Sequence, residues 1–183
     1  MVMSQAHELQ DQGVQLFQQR EYEAASRSFQ EALDAYKEAG DENMVAEMKV
    51  NIGLVHRELG EAQQALDMMQ EALRHFQNTE DQFRVAQVLG NMGGVYMALN
   101  DKEQAMTSYR EAADIFRDMG EDRLYRDTLL ALGSLQVREG KFIAGASLYQ
   151  LGLEGKTDLN MRQRIMKRLS SIITSFSNQV SAS

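Results

Sequence analysis

The chain has 183 residues, of which 43% are hydrophobic, 25% charged and 7% aromatic, the make-up of a soluble, core-forming protein. It contains neither Pro nor Cys, which excludes collagen, proline-rich linkers, disulfide frameworks, thiolate metal sites and cysteine nucleophiles. Twenty-seven acidic residues against nineteen basic ones leave a net charge of −8. Such a surface repels phosphate backbones, so nucleic acid is not the expected partner.

From the N-terminus, Met1 to Gln10 is polar and lacks the basic start and apolar stretch of a signal peptide. No window along the chain approaches the roughly 18 apolar residues of a membrane span, so a membrane role is not expected. The absence of cysteine fits a reducing compartment, and the expected setting is cytoplasmic.

Self-similarity then dominates. Gly13, Gly53, Gly93 and Gly133 recur every 40 residues. Twelve positions after each stands a small residue (Ala25, Ala65, Ala105, Gly145), and seven further on another (Ala32, Ala72, Ala112, Gly152). Between these two lies a bulky residue, namely Phe29, Met69, Tyr109 and Tyr149, and an aromatic closes the first three copies at Tyr36, Phe76 and Phe116. Columns kept in step over four copies mark a repeat protein. The repeats run at about 4–40, 41–80, 81–120 and 121–155, read as one domain over 1–183.

Each repeat reads as two helices. In the third, Val85, Val88, Met92, Val95 and Leu99 paint one helical face, and Ala105, Tyr109, Ala112, Phe116 and Met119 paint a second. Gly60-Glu61, Asn100-Asp101 and Gly140-Lys141 predict tight turns inside repeats, and Gly40-Asp41, Glu80-Asp81 and Gly120-Glu121-Asp122 predict turns between them. A glycine there closes one helix in the left-handed conformation and the following Asp caps the next. The small columns predict close helix approach, with Tyr96 and Tyr109 filling gaps between neighbours. One hairpin cannot cover its own apolar stripe, so the hairpins must stack.

The fourth repeat departs from the pattern, with Gly145 and Gly152 in place of alanines and Gln136 in the column of Tyr96. Beyond it, about 158–180 reads as a final helix whose apolar face is Met161, Ile165, Leu169, Ile172, Phe176 and Val180. Its other side carries Arg162, Arg164, Lys167 and Arg168. The expected role is a cap that seals the last repeat with its basic residues in solvent. A membrane-surface or calmodulin-target-like helix, or a self-association contact, are the alternatives.

The segment Leu89-Gly90-Asn91-Met92-Gly93-Gly94-Val95-Tyr96, completed by Ala105, Tyr109 and Ala112, resembles the tetratricopeptide repeat (TPR) motif over four tandem copies, from about Ser4 to Gly155. The usual repeat is about 34 residues, whereas this one is 40 and lacks the family's closing proline. Longer repeats of this kind are similar to those of kinesin light chains and spindle-orientation adaptors. HEAT and armadillo repeats also accommodate the period, but the glycine–alanine spacing favours the TPR reading. The resemblance implies an all-α, right-handed α-solenoid of four helix-turn-helix repeats plus a C-terminal capping helix.

It also implies a concave groove lined by the first helix of each pair, which receives a peptide or a helix. In the longer-repeat relatives, asparagines two residues before the repeat glycine bond the ligand's backbone. Asn51 and Asn91 match that position, while Asp11 and Ala131 do not. An amide both donates and accepts, so it suits an extended chain. The plainer alternative is that these amides tie adjacent helices together. Neighbouring groove candidates are Val14 and Phe17; Val50, Leu54 and Arg57; Gly90, Gly94 and Met97; and Leu130, Val137 and Arg138. Arg84, with Arg123 and Arg126, stands near the start of a first helix, placed to meet acidic groups. The lysine–asparagine clamp of chaperone adaptors is not matched, since Val50 and Leu54 or Gln87 and Asn91 fill its places.

Catalytic signals are weak. His7, His56 and His75 lack a partner at metal-ligand spacing, and the acids Glu21, Glu23, Glu31 and Glu38 scatter along exposed faces. Gly90 to Gly94 lacks the lysine of a phosphate loop and follows no strand. Ser108 and Ser134 have no evident base, and Met69, Met92 and Met119 fall on core stripes. No catalytic residue, metal site or cofactor is expected. The reading is a non-enzymatic adaptor for a protein or peptide partner. Its rivals are a structural module that self-associates through its convex face or final helix, and a regulatory domain acting beside a catalytic protein.

Overall fold

The computed structural model describes the backbone of residues 2–154 and 161–180 and the side chains of 3–154 and 163–173. Among these residues it is all-helical: α1 (Val2–Gln18), α2 (Tyr22–Ala39), α3 (Glu42–Glu58), α4 (Ala62–Asn78), α5 (Gln82–Ala98), α6 (Lys102–Asp118), α7 (Asp122–Arg138), α8 (Phe142–Gly152) and α9 (Met161–Val180). The first seven are 17 or 18 residues long, about 25 Å of helix each.

The chain turns by the same device at each junction from α1 to α8. Residues 20, 40, 60, 80, 100, 120 and 140 all adopt positive φ, from 57° at Glu80 to 81° at Gly60. At Gly40 the turn closes with its N–H donating to the Lys37 carbonyl (3.0 Å) and the Asp41 N–H donating to the Tyr36 carbonyl (3.0 Å). This pair of bonds satisfies carbonyls that the helix end leaves open. Asp41 and Asp81 cap α3 and α5 by accepting from the N–H groups of Met44 (3.1 Å) and Arg84 (3.0 Å). Asp122 does not cap α7, whose cap position is Glu121 and forms no side-chain cap bond.

Two compact units divide the helices, Met1–Asp101 and Lys102–Ser183. In the N-terminal unit each helix packs on the next from α1 to α5, and α3 also meets α5. Its core is built from Phe29, Tyr36, Met48, Val55, Met69 and Phe76, each at most 2% exposed. The glycine column supplies the notches. A Cβ at Gly13 would lie 2.6 Å from the Phe29 ring, and one at Gly53 would lie 3.0 Å from the Met69 side chain. Bulky residue and glycine therefore meet across the hairpin, which is the steric reason the two columns stay in step. The Tyr36 hydroxyl donates to Gln10 (2.7 Å). Burial first, then the negative charges of Glu47, Asp41 and Asp11, pushes its ionisation above the ordinary tyrosine value.

In the C-terminal unit α6 packs on α7, α7 on α8 and α8 on α9. Here α8 is only 11 residues long. The glycines of the fourth repeat have a structural cause. A Cβ at Gly145 would lie 2.6 Å from Val137 and 2.9 Å from the Gly133 carbonyl. One at Gly152 would lie 2.8 Å from Leu130.

Two expectations need correction. The apolar face assigned to the last helix does not seal the repeat: Ile165, Leu169 and Ile172 are 52%, 47% and 53% exposed, and the packed row is Met166, Ser170 and Ile173. Having α8 as its neighbour on one side, α9 buries one row, with the small Ser170 at the point of closest burial. Residues 158–160, and the side chains of Met161, Phe176 and Val180, lie outside the described residues. Leu99 and Met119 do not belong to the buried stripes, because each stands just past the end of its helix, before a left-handed turn residue, and is exposed.

Candidate functional site

The odd-numbered helices carry the groove candidates. In the N-terminal unit Asn51 sits on α3 and Asn91 on α5, both half-buried. Neither side-chain amide hydrogen-bonds to any described residue, so neither ties two helices together. Beside Asn91, a Cβ at Gly90 would meet nothing within 4 Å, which leaves an open depression. Val14 on α1 is exposed, and Val50, Leu54, Gly94 and Met97 are half-buried.

The other candidates are partly occupied. Phe17 stacks edge-on against Tyr22 at 5.5 Å, within the α1–α2 hairpin. Arg57 pairs with Glu58 at 2.8 Å. Arg84 is the most engaged: its guanidinium pairs with Glu47 of α3, lies 3.6 Å from Asp81 and sits 5.7 Å over the Phe76 ring. It cross-links α3 and α5 on the flank of the two asparagines. Lys49 similarly bridges α3 to α4 through Glu71 (2.8 Å), whose carboxyl is held below the usual range by that hydrogen bond and charge. These pairs hold α3 and its neighbours in register while the amides stay available.

In the C-terminal unit, Leu130 leans over Gly152, and Val137 over Gly145, so both contribute to hairpin packing. Arg138 is exposed, as is Arg123, which lies 3.9 Å from Asp127. Leu130 and Ala131 also wall a recess of about 640 Å³ between α7, α8 and α9. Sequence reading missed this recess because its far wall is α9, whose packing face it misjudged.

The histidines take structural parts. His7 meets the Met3 carbonyl (2.7 Å) and the edge of Tyr36, His56 contacts Glu61 (2.5 Å), and His75 contacts Asn43 (2.7 Å). Among the described residues no group of three or more His, Asp or Glu is placed to hold a metal ion, and no helix is long and apolar enough to cross a membrane.

Comparison with solved structures finds the same fold at low identity. BtubC (BKLC) from P. vanneervenii matches with a TM-score of 0.76 at 13% identity, over 99% of this chain and 81% of that one. The apo form of RapI matches with a TM-score of 0.75 at 15% identity, over 97% of this chain and 51% of RapI, so this chain spans about half of RapI's length. No curated protein matches. The helical array is a TPR-type repeat. The family model of the soluble NSF attachment protein, SNAP, matches residues 2–168, nearly the whole chain, a family that the repeat columns alone did not single out. This chain belongs to the SNAP family.

Proposed function

We propose that the chain is a non-enzymatic adaptor that holds a segment of a partner protein along α1, α3 and α5 of its N-terminal unit, with Asn51 and Asn91 bonding the partner's backbone. One observation carries the reading: two amides on the touching helices α3 and α5 have no side-chain hydrogen bond among the described residues, beside the open depression at Gly90. A half-buried amide without a partner is ready to exchange water for the N–H and C=O of a bound chain. Val14, Val50, Leu54, Gly94 and Met97 supply apolar contact around them. Membership of a family named for attachment supports a binding role. The likeness of the 40-residue repeat to kinesin-light-chain-type repeats supports a peptide or helix as the ligand.

The test is affinity capture from native lysate with wild-type protein and with Asn51→Ala/Asn91→Ala, helix content and melting being followed by circular dichroism. Loss of a specific captured protein with the fold intact supports the groove. Equal capture by both forms rejects it.

A further inference from the structure

The C-terminal unit presents a second surface, on helices that carry neither Asn51 nor Asn91. The recess of about 640 Å³ is walled by Leu130, Tyr149, Leu153, Ile165 and Met166, with Gln163 contributing an amide. Its size and apolar lining are those of a pocket that takes an inserted side chain or two. Ile165 belongs both to the wall and to the exposed row Ile165, Leu169 and Ile172, spaced 4 and 3 apart along α9. Recess and row thus form one apolar strip, the shape that receives the apolar face of a helix.

Charge selects among occupants. Residues 161–180 contain four cations and no acid, and Arg164, Lys167 and Arg168 are exposed. Residues 156–183 carry +4, so residues 1–155 carry −12 of the net −8. The strip is therefore a basic edge on an acidic protein, and it favours an acidic ligand. A bilayer is planar and leaves a three-walled recess unfilled. A second copy docking through α9 brings the same cations and no acid against the first.

We propose that the α7–α9 face binds an acidic amphipathic helix of a partner protein. Its apolar side chains enter the recess beside Leu130 and Ile165 and run along Leu169. Its carboxylates meet Lys167 and Arg168.

The test uses the full chain and two synthetic helical peptides of about 18 residues with the same leucine and phenylalanine spacing. One carries glutamate on its polar face and the other lysine. Binding is read by fluorescence anisotropy at about 0.15 M and at higher salt. The acidic peptide is expected to bind at least about ten-fold more tightly than the basic one and to weaken with salt. Leu169→Asp, and separately Lys167→Glu/Arg168→Glu, are each expected to cost about ten-fold or more. Both substitute exposed residues, so an unchanged melting curve accompanies the loss, and Asn51→Ala/Asn91→Ala leaves this binding unchanged. Equal binding of both peptides, or of neither, overturns the proposal. So does co-sedimentation with phosphatidylserine-containing vesicles that Leu169→Asp abolishes, which assigns the strip to a membrane. A concentration-dependent dimer in sedimentation velocity that Leu169→Asp abolishes assigns it to a second copy and overturns the proposal too.

Discussion

The two units solve the same packing problem with different divisions of volume. In the N-terminal unit the odd helices carry glycine and the even helices carry bulk, so Phe29 and Met69 seat against Gly13 and Gly53 while Ala25 and Ala65 stay fully buried. In the last hairpin both helices carry glycine at the contact: Tyr149 of the even helix lies 3.3 Å from a Cβ at Gly133, and Leu130 and Val137 of the odd helix add bulk against Gly152 and Gly145. The consequence is visible at the surface. Phe142, Ile143 and Leu151 of the short α8 are exposed, whereas the aromatic anchors of α2 and α4 are buried. A repeat column therefore encodes a contact between helices, and which helix supplies the volume is free to change.

The largest expected effect comes from removing an anchor of the N-terminal unit. Phe76 is 1% exposed, and Phe76→Ala should cost about 3–5 kcal/mol by urea unfolding. Phe142 is 60% exposed, and Phe142→Ala should change stability by less than about 0.5 kcal/mol. Comparable losses at both positions would show that the contrast between the units is false.

Next in size is the glycine exchange. Helix propensity alone makes Gly145→Ala stabilising by up to about 1 kcal/mol. Close approach to Val137 and the Gly133 carbonyl reverses the sign, to a loss of about 1–3 kcal/mol. Gly90→Ala is the control: with nothing within 4 Å of the new methyl, propensity prevails and the protein gains up to about 1 kcal/mol. A stabilised Gly145→Ala variant would mean that the last hairpin is no tighter than the others.

A smaller effect separates turns that carry glycine from those that do not. Glu80 holds φ at 57°, and Glu80→Gly should raise stability by about 1 kcal/mol, while Gly60→Ala should lower it by a similar amount. Thermal unfolding of the two variants measures both. A loss in Glu80→Gly would indicate that the side chain supports the turn more than its backbone strains it.

These sites show why much of the fold was legible in the sequence. Gly13 with Phe29, and Gly53 with Met69, are short-range steric pairs repeated at a constant offset, so the columns reveal them before any coordinates do. The turns are legible at Gly40, Gly60, Glu80, Asn100, Gly120 and Gly140, whereas the turn at Arg20 and the left-handed backbone of Arg20, Glu80 and Asn100 emerge only from the structure. The face of α9 was not legible. Amphipathicity ranks residues by size, but a helix packed from one side buries the row that permits close approach, and there a serine serves better than Leu169. Nor was the commitment of Arg84, since its partner Glu47 lies 37 positions away on another helix. Asn51 and Asn91 were legible as positions only; that their amides lack partners among the described residues is a three-dimensional fact.

The smallest effect concerns pH. Tyr36 lies in the N-terminal unit, fully buried, with its ionisation raised by burial and by nearby acids. Above pH of about 10 an unfolded tyrosine loses its proton while the folded one keeps it. The unfolded state then binds fewer protons, so stability present below that pH declines as pH rises through it. Tyr36→Phe should abolish that decline, and at neutral pH should cost about 1 kcal/mol for the lost hydrogen bond to Gln10. At the acid end the sign reverses. Glu71 is depressed by Lys49 in the N-terminal unit, and Glu139 by its hydrogen bond from Lys102 (2.7 Å) in the C-terminal one. Each contributes stability above the ordinary carboxylate range that fades as pH falls through its lowered value. Lys49→Ala should remove less than about 1 kcal/mol, because the pair is largely solvated. Urea unfolding of wild type and Tyr36→Phe from neutral pH to about pH 11 provides the measurement. Parallel declines in both proteins would place the alkaline sensitivity outside Tyr36 and leave its burial without a titration signature.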